Sequence, residues 1–103
     1  MFIFSFYPEE ESLLVKLEGE LDIDSTEIVE TQLIPNLENY TFIHLDFGKI
    51  RFVDSSGMGA LLNLVEFLKE KEIKLTISNV AEEIMEIFQL VQLTEIIGEE
   101  VFI

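Results

Sequence analysis

The chain has 103 residues, 49% of them hydrophobic and none of them cysteine, enough for one domain whose core needs no covalent staples. Without cysteine, disulfides, zinc–thiolate sites and thiol nucleophiles are excluded. A formal net charge of −15 repels phosphate backbones and anionic lipid, so neither direct nucleic-acid binding nor membrane-surface binding is expected.

The first residues, MFIFSFYPEEE, place Phe2, Phe4 and Phe6 in alternation with Ile3, Ser5 and Tyr7, the period of a strand. No Lys or Arg precedes this apolar run, and acid follows it at once, so it does not read as a secretory signal. No later segment reaches the length of a membrane span, and a cytoplasmic location is expected. Pro8 and three Glu make a turn, after which Leu13, Val15 and Leu17 alternate with Leu14, Lys16 and Glu18. That is a second strand and the partner of a hairpin, closed by GELD at Gly19–Asp22.

Asp24 followed by Glu27 has the spacing of a capping box, so a helix is expected to begin there. Ile28, Val29 and Leu33 give it an apolar side, and Pro35 limits its length. Residues 41–47, TFIHLDF, read as a central strand covered on at least one side. Met58, Leu61, Leu62, Val65 and Leu68 recur at three and four, which predicts a helix over 57–71. Residues 74–78 make another short strand. Asn79 and Glu82 repeat the capping-box spacing, and Val80, Ile84, Ile87 and Val91 mark the apolar face of the next helix. Val101-Phe102-Ile103 could close as a last short strand.

The order is β-β-α-β-α-β-α. It predicts a single α/β domain over 1–103: a mixed sheet, an N-terminal hairpin followed by parallel βα units, packed with helices. The common catalytic signatures are missing. There is no phosphate-binding G-x-x-x-x-G-K-[ST], Gly57-Met58-Gly59 lacks the third glycine of a dinucleotide fingerprint, and Ser55 and Ser56 lie outside any G-x-S-x-G. The one histidine, His44, sits mid-strand, where a structural role is the simpler expectation. Asp22, Asp46 and Asp54 could hold a hard cation only if their strand ends converge, and no metal or other cofactor is expected.

Val53-Asp54-Ser55-Ser56-Gly57-Met58-Gly59 lies between a strand and a helix N-terminus, where free backbone N–H groups favour anions. Two small hydroxyl residues beside glycine leave the loop thin. The same features also describe an ordinary helix start, with Asp54, Ser55 or Ser56 as N-cap and the glycines making a tight turn.

The stretch FIHLDFGKIRFVDSSGMGALLNL resembles the signature region of the STAS domain family, named for sulfate transporters and anti-sigma factor antagonists. Asp46 matches the Asp that ends the family's strand motif, Asp54 to Gly59 match its D-S-[ST]-G-[LM]-G loop, and GELD matches an Asp beside that loop. The resemblance spans nearly the whole chain in element order. It departs at the end, since many members carry a further C-terminal helix.

The resemblance implies a non-enzymatic anti-sigma factor antagonist. Ser56 would be the phosphoacceptor, and Asp54, Ser55, Gly57, Met58, Gly59 and Asp22 would form the partner-binding loop. Its partners would be an anti-sigma factor of the serine kinase type, bound when Ser56 is unphosphorylated so that a sigma factor is released, and a serine phosphatase that resets the switch. Two alternatives stand beside it. One is a receiver-like phosphorelay domain with Asp54 as acceptor, for which no good Lys follows Lys74. The other is a constitutive STAS scaffold or sensor module. The sequence fixes no oligomeric state.

Overall fold

A computed structural model describes residues 1–103. The expected alternation of Phe2, Phe4 and Phe6 appears as β1, Ile3–Glu9, which pairs antiparallel with β2, Ser12–Leu21. Glu10, at φ +29°, turns the chain between them. A helical region, α1, covers residues 23–36. It runs as a 3₁₀ turn Ile23–Ser25, an α turn Thr26–Ile28, a π turn Val29–Leu33 and a 3₁₀ turn Ile34–Asn36. Then come β3, Phe42–Val53; α2, Ser55–Glu70; β4, Lys74–Ser78; α3, Glu82–Leu90; and α4, Leu93–Ile97.

The four strands lie in the order β1-β2-β3-β4, with β3 parallel to both β2 and β4. This is the expected hairpin followed by parallel βα units. Strand alternation sends Leu13, Val15, Leu17, Ile43, Leu45, Phe47 and Ile77 under the helices, where all are buried. From α2 they meet Leu61, Leu64, Val65 and Leu68, and from α1 Val29 and Leu33. The opposite face stays open: Ser5, Tyr7, Lys16 and Glu18 are exposed, and His44, Asp46, Thr76 and Ser78 half-buried. A doubly wound receiver-like sheet would carry helices on both faces. Here they cover one.

Several boundaries differ from the sequence reading, each for a local reason. The first capping box is not Asp24 with Glu27. Asp22 is the cap, accepting from the Asp24 and Ser25 N–H groups at 3.1 and 3.2 Å, while the Ser25 hydroxyl takes the Asp22 N–H at 2.8 Å. Ser25 is thereby buried yet paired. Replacing Asp22 with Ala is expected to cost about 1 kcal/mol of stability, and Asp24→Ala within about 0.5 kcal/mol of nothing. Urea melts of the two variants check this.

β3 does not stop at Phe47. A register shift against β2 between Lys16 and Glu18, and another between Gly19 and Glu20, absorb the mismatch and carry the ladder on to Leu21↔Val53. At the second capping spacing, Ala81 and not Asn79 is the N-cap, without a side-chain bond. Asn79 sits at φ +61°, and its amide donates to Asp46 Oδ1 at 3.1 Å. The buried side of α3 is Ile84 with Phe88, while Ile87 and Val91 face solvent. Phe88 packs edge-on against Phe47 with ring centroids 6.5 Å apart, and against Phe102 at 6.2 Å. The tail forms no full strand. Phe102 makes one parallel bridge to Ile77, and the Ile103 N–H donates to the Ile77 carbonyl at 2.9 Å.

Asp46 is held from two sides, by Asn79 and by the Gly48 N–H at 2.8 Å. Burial raises its pKa, but these hydrogen bonds and the charges of Lys16 and His44 outweigh burial and leave it below the ordinary 3.8. A depressed folded pKa stabilises the fold above the ordinary carboxylate value, and that stability is lost as pH falls through the lower folded value. Asp46→Ala is therefore expected to cost about 1–2 kcal/mol at pH 7 and clearly less near pH 2.5, when read by urea denaturation at both pH values.

Candidate functional site

β2 and β3 end side by side at Leu21 and Val53, and each is followed by an aspartate. Both aspartates do the same work. Asp22 caps the start of α1, and Asp54 caps α2, with its backbone extended (φ −102°, ψ −176°) and its carboxylate accepting the Gly57 N–H at 2.8 Å. An N-cap of this kind satisfies one of the donors that a helix start leaves free. It also decides which local reading holds. Asp54 is the cap, and neither serine is.

Ser55 and Ser56 are then the first two residues of α2, with Ser55 exposed and Ser56 half-buried. The helix N-terminus supplies N–H groups and the positive end of the dipole to anything anionic placed there. The Asp54 N–H donates to the Leu21 carbonyl at 3.2 Å and ties the two strand ends together, and the Met58 N–H donates to the Asp54 carbonyl at 2.9 Å to open α2. Gly57 is buried against Leu21 so closely that a Cβ there would lie 1.8 Å from the Leu21 carbonyl oxygen. Gly59, two positions on, has nothing within 4 Å of where its Cβ would be. The first glycine is demanded by the fold; the second is not.

The structure therefore gathers Asp22, Asp54, Ser55, Ser56, Gly57, Met58 and Gly59 at one end of the sheet. Leu21, whose carbonyl accepts from Asp54 and leaves no room for a side chain at position 57, was missed in the sequence. The signal for it is the repeated Asp-x-x-small spacing of Asp22/Ser25 and Asp54/Gly57 after neighbouring strands.

Asp46 does not join them. It lies within β3, eight positions before the Asp54 that follows that strand, about 25 Å at the rise of a β-strand, so the three aspartates cannot share a cation. His44 is also elsewhere, bonded through its ring nitrogens to the Thr76 and Ser78 hydroxyls across the β3–β4 ladder. On the open sheet face is a shallow depression of about 380 Å³, lined in part by Tyr7, Lys16, Asp46, Lys49 and Asn79. Its charges are engaged within the chain: Lys16 sits 5.1 Å from the Tyr7 ring centre, and Lys49 lies 3.7 Å from Glu18.

Arg51 lies on the last stretch of β3, and its guanidinium donates to Glu20 at 2.8 Å. The Met1 ammonium and Arg51 together hold the Glu20 carboxyl below its ordinary range. An anion at the start of α2 would find backbone donors there.

Residues 6–102 match the STAS domain family. The chain is 24% identical over 88 residues to the anti-sigma-B factor antagonist of Bacillus subtilis, covering 85% of this chain and 81% of that protein. It is 34% identical over 68 residues to a probable sulfate transporter 4.2 of Arabidopsis thaliana, a match covering 66% of this chain and 10% of the transporter. Among solved structures it superposes on the anti-sigma factor antagonist SpoIIAA in its unphosphorylated form with a TM-score of 0.67 and 25% identity, over 87% of this chain and 83% of that one. No helix here is long and apolar enough to cross a membrane. The one-sided four-stranded sheet, the paired aspartate caps and a profile match over almost every residue agree: the chain belongs to the STAS domain family.

Proposed function

We propose that this protein is a non-enzymatic anti-sigma factor antagonist switched by phosphorylation of Ser56. Unphosphorylated, it binds an anti-sigma factor of the serine kinase type and frees a sigma factor. The same partner phosphorylates Ser56, and a serine phosphatase restores it. The observation that carries this reading is the start of α2. Asp54 takes the capping role, which leaves Ser56 half-exposed beside free backbone donors, and Gly59 opens the helix surface where packing does not require a glycine. The B. subtilis antagonist supports it, being similar over most of both chains.

Incubating the protein with a kinase-type anti-sigma factor and ATP, then mapping the modified residue by mass spectrometry, tests the assignment. One phosphate is expected, on Ser56, and it should be absent from Ser56→Ala. Modification that persists in Ser56→Ala removes the assignment.

A second reading, a constitutive STAS module without the switch, is favoured by the similarity to the transporter. It predicts that partner binding is the same whether or not Ser56 carries phosphate.

A further inference from the structure

α3 is apolar on two sides, and the fold uses only one. Ile84 and Phe88 are buried, while Ile87, Leu90 and Val91, three and four apart, stand exposed along the other side. The Gln92 turn leads into α4, which buries Leu93, Thr94 and Ile97 and leaves Ile96 outside. Four large aliphatic side chains are thus exposed within residues 87–96, Leu90 to 83%. Single exposed apolar residues are ordinary, but an apolar stripe along a helix is what seats it against another element. No element of this chain covers the second stripe of α3, and the core makes almost no use of Leu90.

The charges around this stripe have one sign. All six Lys and Arg of the chain lie at or before Lys74, and the only histidine is His44. Residues 75–103 therefore carry Glu82, Glu83, Glu86, Glu95, Glu99 and Glu100 and no cation. All six are exposed, and none takes part in an ion pair, whereas Glu18, Glu20 and Glu38 each meet a cation within the chain. This rim selects the occupant. A second copy would set Glu against Glu, and anionic lipid or nucleic acid would be repelled. The main chain of α3 and α4 is bonded within the helices, so no edge is offered to a strand. A helix whose apolar face meets the stripe and whose flanks carry Lys or Arg satisfies both the stripe and the rim.

We propose that the α3–α4 surface is a docking site for a basic amphipathic helix of a protein partner. Ile87, Leu90 and Val91 form its apolar centre, and Ile96 extends it onto α4. The flanking glutamates pair with the partner's Lys and Arg and set its orientation. The surface is separate from the loop of Ser56: that loop follows the ends of β2 and β3, whereas α3 packs through Phe88 on Phe47, six positions before the end of β3. Docking here does not depend on phosphorylation of Ser56.

Titrating the isotope-labelled full chain with a peptide of about 18 residues tests this, the peptide being built only of leucine and lysine with leucine on one helical face. Amide shifts should move within residues 87–96, with a dissociation constant of about 10–100 µM at 0.05 M NaCl. Binding should weaken about tenfold by 0.5 M NaCl, as the charges are screened. A peptide of the same composition with its leucines spread round the helix keeps the charge without the apolar face, and should bind about tenfold more weakly or not at all. Leu90→Gln should weaken the ordered peptide about tenfold while its melting temperature stays within about 3 °C of the wild type. Ser56→Ala should bind the peptide as the wild type does, so the result stands apart from that of the switch. Shifts gathered outside residues 87–96, equal binding of the two peptides, or full affinity in Leu90→Gln would each overturn the proposal. The shift mapping needs no variant, so it decides even where Leu90→Gln fails to fold.

Discussion

On the proposed switch, the protein phosphorylated at Ser56 is expected to bind a kinase-type anti-sigma factor about thirty-fold to several thousand-fold more weakly than the unmodified chain, with its fold unchanged. The phosphate brings about −1.5 to −2 charges at pH 7 to the first turn of α2. Within the folded chain that charge is tolerated, because it lies at the positive end of a sixteen-residue helix beside backbone donors. Within a complex it is not. The Asp54 carboxylate stands two residues away, as the cap of the same helix. A partner that buries the loop without placing a cation against it leaves the added charge unpaired, at a cost of about 2–5 kcal/mol, which is the stated range in affinity. Calorimetric titration of both forms reads the difference, and circular dichroism should show the same spectrum and nearly the same melting curve for each. Loss of structure on phosphorylation would point to a different mechanism, in which the loop is remodelled.

The second large effect separates the two glycines. Gly57→Ala is expected to cost about 3 kcal/mol, the upper part of the range for overpacking a buried site. Its new methyl would lie 1.8 Å from the Leu21 carbonyl oxygen, which is backbone and cannot swing aside. Relief requires α2 to lift from the end of β2, disturbing the Asp54 N–H bond to the same carbonyl. Gly59→Ala should instead stabilise the isolated protein by about 0.5–1 kcal/mol, since alanine favours a helix interior and the site is open. If Gly59 is kept for a partner's close approach, the same variant should bind the anti-sigma factor more weakly while being the more stable protein. Urea denaturation and binding titrations on both variants give four numbers with opposite expected signs. Equal destabilisation by the two substitutions would contradict this account of the loop.

The elements legible in the sequence were those whose pattern is purely local. Period-two spacing at Phe2, Phe4, Phe6 and at Leu13, Val15, Leu17 marks strands because each strand has one covered face. The three-and-four spacing from Met58 to Leu68 marks α2 for the same reason. What was not legible depends on neighbours far along the chain. The extension of β3 past Gly48 rests on register shifts in β2, thirty residues away, that keep Ile50 and Val53 facing the core.

The two capping boxes were misread because spacing alone cannot say where the preceding strand ends. β2 runs to Leu21, so Asp22 reaches the helix start before Asp24 does. Asn79 is drawn off to Asp46. On α3 the sequence offers apolar residues on two sides, and the side that wins is the one presenting Phe88 to Phe47 and Phe102. The turn at Gln92, φ +61°, then starts α4, for which no pattern had stood out. The site fared better. Its loop was visible as Asp54-Ser55-Ser56-Gly57-Met58-Gly59, but the choice of Asp54 over the serines as cap needed the geometry of Gly57.

The most direct test of partner switching uses a preformed complex of a kinase-type anti-sigma factor with its sigma factor. The sigma factor released is measured as this protein is added in either phosphorylation state. The account predicts that the unmodified chain releases sigma factor in proportion to its amount, and that the Ser56-phosphorylated chain releases almost none at the same concentration. Equal release by the two forms, or none by either, would contradict it.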